Sequence, residues 1–239
     1  MCGRFSLYFF PDAEVEFEER FGIPFPTFDY AASHNIPPGT SVAVVNADSD
    51  NQNQVVSMFW GLIPSFAQEF KPHPKYKMSN TRAEVFHAIK DNFRKELLVT
   101  SRCIVPANNY FEWTRVDKVP CKIEAVDSHL LALGGIYSVW ANRDGEKRHS
   151  CSIITVPANE SLSEIHHRMP FILDAESEKV WLDNQVSDYD VLRDRLEPFA
   201  DDGLRYVRVS RRVNNVMNND PELVKPVAKT SGGTQGSMF

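Results

Sequence analysis

The chain has 239 residues, of which 42% are hydrophobic and 24% charged, and a formal net charge of −6. That is enough apolar material for one large domain or two small ones, and it excludes wholesale disorder. The acidic balance excludes a uniformly basic, histone-like binder of nucleic acid but leaves room for a local basic groove, because phosphates respond to the local field. No apolar run reaches the ~20 residues of a membrane-spanning helix. The opening MCGRFSLYFF lacks the apolar core and small-residue cleavage site of a secretory signal, so a cytoplasmic monomer with no membrane partner is expected. The four cysteines, Cys2, Cys103, Cys121 and Cys151, are scattered with no C-x-x-C pair. Their spacing fits a reduced compartment and argues against a disulfide framework or a zinc site.

In chain order, residues 12–21 read as an amphipathic helix with Val15, Phe17 and Phe21 apolar among acids, ended by Pro24 and Pro26. The stretch HNIPPGT is a rigid turn before the strand-like SVAVV. The polar hairpin NADSDNQNQ leads to a strand at 55–60. KPHPKYK is a basic, proline-broken loop, and 82–90 is predicted helical. Short strands are expected at 102–105, 121–126, 130–133, 152–156 and 205–209, and helices at 175–182 and 189–196. The tail from 230 to 239, TSGGTQGSMF, is expected to be disordered. The pattern predicts one α+β domain over 1–229, rich in antiparallel strands with peripheral helices. There is no βαβ alternation, no G-x-G-x-x-G, no P-loop and no H-E-x-x-H.

Six places carry residues suited to chemistry. Removal of Met1 would leave Cys2 with a free α-amine and a thiol, whose reference pKa values of about 7.7–8.0 and about 8.5 leave both partly deprotonated near neutrality. Such an aminothiol condenses with an aldehyde and closes to a five-membered thiazolidine; the alternative is that a cysteine at position 2 is incidental. Arg4, beside it, is suited to bidentate phosphate binding or to a plain surface role. In NTRAE, Asn80 and Arg82 share a face if the segment is extended, whereas a helix would make Asn80 or Thr81 a cap. Glu112 lies between Phe111 and Trp113, where an apolar surround suits an acid/base carboxylate, unless it occupies the solvent face of an alternating strand. His166 and His167 precede Arg168; adjacent histidines on an extended chain point to opposite faces and chelate poorly, so one of them suits proton transfer or hydrogen bonding, or a structural role. Arg208, Arg211 and Arg212 adjoin an Asn-rich turn and form either a binding patch or a solvated face with Asx-turns.

Taken together, the CGRF start, FWGLIPSF, SNTRAE, YFEW, IHHRMP and VSRRVNN, in that order from Cys2 to about Val227, resemble the SOS response-associated peptidase (SRAP) family. The resemblance implies mainly antiparallel strands forming a barrel-like sheet with peripheral helices. It implies recognition of abasic sites in single-stranded DNA, covalent attachment through the N-terminal cysteine, self-removal of Met1 and weak lyase activity, with neither cofactor nor metal. By the same resemblance Cys2 is the nucleophile, Asn80, Glu112 and His166 complete the catalytic set, Arg4, Arg82 and Arg168 hold the DNA backbone, and Pro38 wedges against stacked bases. His167 falls on a variable position. The family often carries paired tryptophans after W-G-x-x-P; here Ser65-Phe66-Ala67 fills that stretch, leaving Phe66 as a smaller stacking platform. Two alternatives stay open: an N-terminal-nucleophile amidohydrolase, and a non-covalent reader of single-stranded DNA.

Overall fold

Strands dominate the chain. The computed structural model describes residues 3–25, 33–73, 78–88 and 92–227. Among them run β1 (Phe5–Leu7), α1 (Pro11–Phe21), β2 (Ser33–Ile36), β3 (Ser41–Ala47), β4 (Asn53–Trp60), β5 (Asn80–Arg82), α2 (Asn92–Thr100), β6 (Arg102–Ala107), β7 (Asn109–Trp113), β8 (Pro120–Ala125), β9 (Leu131–Ala141), β10 (Lys147–Pro157), α3 (Glu160–Ser163), β11 (Arg168–Pro170), β12 (Ile172–Leu173), α4 (Ala175–Leu182), α5 (Tyr189–Arg193) and β13 (Leu204–Arg208). The tail from 230 to 239 lies outside the described residues.

β3 pairs antiparallel with β4 and β6, β6 with β9, and β9 with β10. β10 then returns to β4 in parallel, which closes a five-stranded barrel. A second sheet, ordered β13-β8-β7-β1-β2, is antiparallel throughout. The fold is α+β, mostly antiparallel, with the helices outside the barrel, as the sequence pattern implies. All six residues of β6 are buried, because one face fills the barrel and the other lies under α2 and α4.

The helices form where an apolar stripe can dock. α1 buries Ala13, Phe17 and Phe21, spaced by four. Phe17 and Phe9 both pack on Phe25, at ring separations of 4.8 and 4.6 Å. The helix stops at Gly22, whose φ of 69° is the left-handed cap, with its amide donating to the Glu18 carbonyl at 2.9 Å. The stop therefore comes before Pro24, and Pro26 lies outside the described residues. The segment predicted helical at 82–90 is instead strand β5 followed by a 3₁₀ turn at Ala83–His87; 89–90 lie outside the described residues. Helix α2 had no sequence signal, because its buried pair Leu97 and Leu98 is adjacent and makes no 3.6-residue stripe. β9 and β10 run eleven residues each, well beyond the predicted 130–133 and 152–156. The two glycines of β9 and the polar KRHS start of β10 interrupt the local strand pattern, but the two arms pair with each other.

Two arginines, Arg102 buried and Arg20 half-buried, pin the helices. Arg102, on β6, donates to the Leu98 and Val99 carbonyls at the end of α2, at 3.0 and 2.6 Å, and to Trp181 and Asp183 at the end of α4, at 2.7 and 2.6 Å. One cation thus satisfies carbonyls that two helix ends leave without partners. Arg20 bonds Glu16 one turn back on α1 at 2.7 Å and joins the helix to the Leu130 carbonyl at 2.8 Å and to Glu178 of α4.

Barrel closure leaves no room for a side chain at Gly135 of β9: a Cβ there would sit 2.7 Å from the Ser152 carbonyl oxygen and 3.3 Å from Cys103 Sγ. Gly135→Ala is therefore expected to destabilise the fold by about 1–3 kcal/mol, read as a lower urea midpoint with an unchanged m-value.

Candidate active site

The C-terminal half of β10 is bonded along both edges. On one edge β5 runs parallel, with Ile153 opposite Asn80 and Thr155 opposite Arg82. On the other, β11 runs antiparallel, with Thr155 opposite Pro170 and Pro157 opposite Arg168. Two stretches of sequence some 86 residues apart are thereby held about 10 Å from each other, two strand spacings. Because Asn80–Arg82 is extended and not a helix cap, Asn80 and Arg82 share a face. Thr81 turns the other way, and its hydroxyl meets that of Ser152 at 2.8 Å. Asn80 is half-buried and Arg82 exposed.

Arg168 is placed differently. It is only 7% exposed; one terminal nitrogen bonds Glu84 at 2.5 Å and the other the Thr155 carbonyl. The guanidinium therefore locks β11 to β10 and to the turn after β5, and a phosphate would have to displace Glu84 to be held by it.

Glu112 comes from the second sheet. It is 7% exposed and does not lie on the solvent face that simple alternation allowed. β1 pairs with β7 through Phe5–Tyr110 and Ser6–Asn109, and the Phe111 amide donates to the Arg4 carbonyl at 2.8 Å. The same register carried toward the amino end brings Gly3 alongside Glu112. Cys2 lies outside the described residues. β1 is seated by Phe5, whose ring packs on Trp60 at 5.0 Å, while the Trp60 indole donates to the Ser79 carbonyl at 2.8 Å. One tryptophan thus joins the beginning of the chain to the residue before Asn80.

Arg4 reaches back into the protein: its guanidinium donates to Asn35 Oδ1 at 2.6 Å and to the Val213 carbonyl at 2.7 Å, and lies 5.9 Å from the Trp113 ring. Burial lowers its pKa from the ordinary arginine value. Asn35, which the sequence did not mark, donates to the carbonyls of Val213, Asn215 and Asn218 at 3.3, 3.0 and 2.8 Å. Its partners are nearly 180 residues away, so no local pattern announces it. Trp113 adds a bond from its indole to Asn214 Oδ1 at 2.8 Å. The Asn-rich turn is thus a support for Arg4, with an Asx-turn at Asn215.

His166 is half-buried ahead of β11, its Nδ1 3.1 Å from the Arg168 amide and 3.2 Å from the Arg168 carbonyl. Burial keeps its imidazole below the ordinary histidine range, against the pull of the Glu112 carboxylate, with His167 pushing the same way as burial. His167 is exposed. The two rings do not diverge as an extended chain would require; they lie 4.2 Å apart at 31°, because His167 sits in a bend before the strand begins.

Pro38 and Phe66 line two adjoining cavities. One, about 280 Å³, is bounded by Pro38, Gly39, Trp60 and Ser79; the other, about 630 Å³, by Pro64, Phe66 and Arg94; they share Leu62, Pro72, His73 and Met78. Phe66 is 74% exposed, its edge resting on Phe93 at 5.3 Å. The groove ends at Ser79, next to Asn80.

Of the cysteines, Cys103, Cys121 and Cys151 are buried. Burial raises all three thiols, Cys151 to about 12, so none supplies a thiolate at neutral pH. Among the described residues no group of three His, Cys, Asp or Glu is arranged to hold a metal ion, and no helix is long and apolar enough to cross a membrane.

Residues 1–216 match the family model described as SOS response associated peptidase (SRAP). The chain is similar to the abasic site processing protein YoqW of Bacillus subtilis (strain 168), with 39% identity over 230 residues, covering 94% of this chain and 99% of that one. It is also similar to the abasic site processing protein HMCES of Rattus norvegicus, with 32% identity over 254 residues, covering 87% of this chain and 71% of the relative. A crystal structure of a protein from Bacteroides thetaiotaomicron superposes with a TM-score of 0.76 at 26% identity, covering 94% of this chain and all of that one.

The Arg168 hydrogen bond holds the Glu84 carboxyl below the usual carboxylate range. The folded state therefore binds fewer protons than the unfolded one as pH drops. The stabilisation is present above the unfolded value of about 4.3 and is lost as pH falls through the folded value. Glu84→Gln is expected to flatten this acid limb of a stability-versus-pH curve, at a cost near neutrality of no more than about 1 kcal/mol because solvent screens the exposed carboxylate.

Proposed function

The chain belongs to the SOS response-associated peptidase family, and on that premise we propose that it captures abasic sites in single-stranded DNA by covalent reaction at Cys2. The observation that carries this reading is the β1–β7 register, which, carried back to Gly3, brings that residue alongside a buried carboxylate, Glu112. The burial of the other three cysteines supports it, since a nucleophilic thiol must then come from Cys2.

In this reading the Met1–Cys2 peptide bond is first hydrolysed by the protein itself, which frees the α-amine of Cys2. The open-chain form of the abasic sugar presents an aldehyde at C1′. The amine adds to it and water leaves, giving an imine; the thiol then adds to the imine carbon and closes a thiazolidine. Glu112 moves protons during ring opening and imine formation. His166, neutral at pH 7 because burial outweighs the pull of Glu112, hydrogen-bonds the sugar hydroxyl released on ring opening. Asn80 orients the sugar from the opposite sheet. Diversion of the imine to β-elimination accounts for weak lyase activity. No step calls on a cofactor.

Arg82 is exposed and ready for a phosphate. Arg4 is held in place by Asn35 and Val213. Arg168 takes part by exchanging Glu84 for a phosphate. Pro38 and Phe66 place neighbouring bases in the groove that ends at Ser79. A nucleotide without a base has no stacking to lose, so it bends into the site at low cost.

A denaturing gel with a single strand carrying one abasic site tests the chemistry. Wild-type protein is expected to give a heat-stable adduct; Cys2→Ala, or a non-removable residue before Cys2, is expected to give none. A stable adduct from the extended protein would show that the linkage does not use the Cys2 aminothiol, and no adduct from the wild type would leave a non-covalent reader. Glu112→Gln is expected to slow adduct formation by about 10²–10⁴-fold while leaving DNA affinity nearly unchanged; equal losses in both would make Glu112 a contact residue.

Arg82→Ala is expected to lower the slope of log affinity against log salt by about 0.7, one single-strand phosphate contact. An unchanged slope in an anisotropy titration would remove Arg82 from the DNA path.

A further inference from the structure

One sizeable cavity is not used by the chemistry above. About 810 Å³ in volume, it lies between β13 and Cys121 of β8, the Glu164–Ile165 turn, and the segment Pro226–Val227. Cavities that take small organic ligands span about 300–1,000 Å³. It adjoins the active site at two points. Ile165 precedes His166 in sequence, and Cys121, in its floor, is the cross-strand partner of Glu112.

Cross-strand register extends this row. Glu112 of β7 pairs with Cys121 of β8, which pairs with Arg208 of β13. The three side chains therefore leave the sheet on one face, with the backbones of Glu112 and Arg208 about 10 Å apart, two strand spacings. Both charges reach the Cys121 thiol between them, Arg208 lowering its pKa and Glu112 raising it. Tyr206, two residues before Arg208, projects from the same face and is 43% exposed. Arg208 is exposed, its carbonyl accepts from the Val227 amide at 2.9 Å, and its guanidinium makes no hydrogen bond or ion pair among the described residues. Its neighbours differ: Arg205 pairs with Glu124, Arg211 with the Asp117 carbonyl and Arg212 with Asp220.

We propose that this cavity is a second single-stranded DNA subsite, in which Arg208 holds a phosphate and Tyr206 stacks a base of the strand as it leaves the active site on the side away from Phe66. The proposal rests on the reading of the chain as a binder of abasic single strands and extends it to a segment of DNA beyond the reacting nucleotide. An unpartnered guanidinium one pleat from an exposed aromatic ring is the combination by which sequence-tolerant single-strand grooves hold phosphate and base together. Glu164, the one carboxylate lining the cavity, stands on the turn that carries Ile165. It repels phosphate, and so directs the backbone along the β13 wall and the bases toward the apolar Ile165. With Ser79 beside Asn80 at the end of one groove and Ile165 beside His166 at the mouth of the other, the reacting nucleotide would lie between two stretches of bound strand.

The test uses fluorescence anisotropy with unmodified single strands, and adduct gels with strands carrying an abasic site near one end or the other. Arg208→Ala is expected to lower the log–log salt slope on unmodified DNA by about 0.7. Tyr206→Ala is expected to weaken binding about ten-fold with the slope unchanged. Arg205→Ala, which removes the same charge from the other face of β13, is expected to do neither. On abasic strands both Arg208→Ala and Tyr206→Ala should slow adduct formation at sub-saturating protein when several nucleotides extend on one side of the lesion, and should have no effect when that side is cut back to a single nucleotide. Wild-type behaviour of both variants on every strand, equal effects from Arg205→Ala, or effects independent of which side is shortened would each overturn the proposal. Because the anisotropy arm contains no abasic site, failure of the Cys2 chemistry would show in the gels alone and leave this subsite separately tested.

Discussion

The half of the candidate site that holds Asn80, Arg82 and Arg168 depends on β10 being hydrogen-bonded along both edges as far as Thr155. Over residues 147–153 it pairs with β9, and beyond that β11 takes the same edge; on the opposite edge β4 gives way to β5. A strand with two filled edges has no freedom to shift register without breaking ladders on both sides. Asn80, Arg82 and Arg168 are thus held by backbone bonds, and their side chains need no additional scaffold to keep their spacing. The Arg168 side chain reinforces the arrangement by reaching Thr155 on β10 and Glu84 beyond β5.

The second sheet contributes the other half of the site, and the joint between the halves is aromatic. Phe5 of β1 lies on Trp60 of β4, and the Trp60 indole holds Ser79. The burial of these rings fixes Phe5 relative to Asn80. The β1–β7 register fixes Phe5 and Ser6 relative to the strand that carries Glu112. Arg4, tied to Asn35 and Val213, adds a side-chain anchor just before β1.

Electrostatics separates the roles. Glu112 is buried yet close enough to His166 to oppose the effect of desolvation on that ring, so the two sheets share one electrostatic environment there. Arg82 and Arg208 point outward without partners among the described residues. Arg168 and Arg4 are engaged internally. The same residue type thus serves as scaffold in two places and as exposed charge in two others, a distinction set by which carboxylates and carbonyls the fold brings near.

Much was legible from local pattern. The Phe17 and Phe21 positions of α1, the strand runs of β3, β6 and β8, and the ordered motifs around Arg4, Asn80, Glu112 and His166 follow from periodicity and from residue chemistry at fixed spacing, and these carried the α+β class and the family resemblance; Val15, expected on the α1 stripe, is 56% exposed, and Ala13 fills that face instead. Other features lay beyond any window of neighbouring residues. NTR became a strand and not a helix cap because β10 offered it a ladder. Glu112 is buried although simple alternation along β7 allowed it the solvent face, because the tertiary fold brings His166, from ahead of β11, near it. Asn35 matters because a turn nearly 180 residues later lacks donors. Arg208 shares a face with Glu112 only through a strand that pairs with both neighbours. Local sequence sets what each segment prefers, whereas pairing partners distant in the chain decide which edge is filled, which face is buried and which charge is left without a counter-ion.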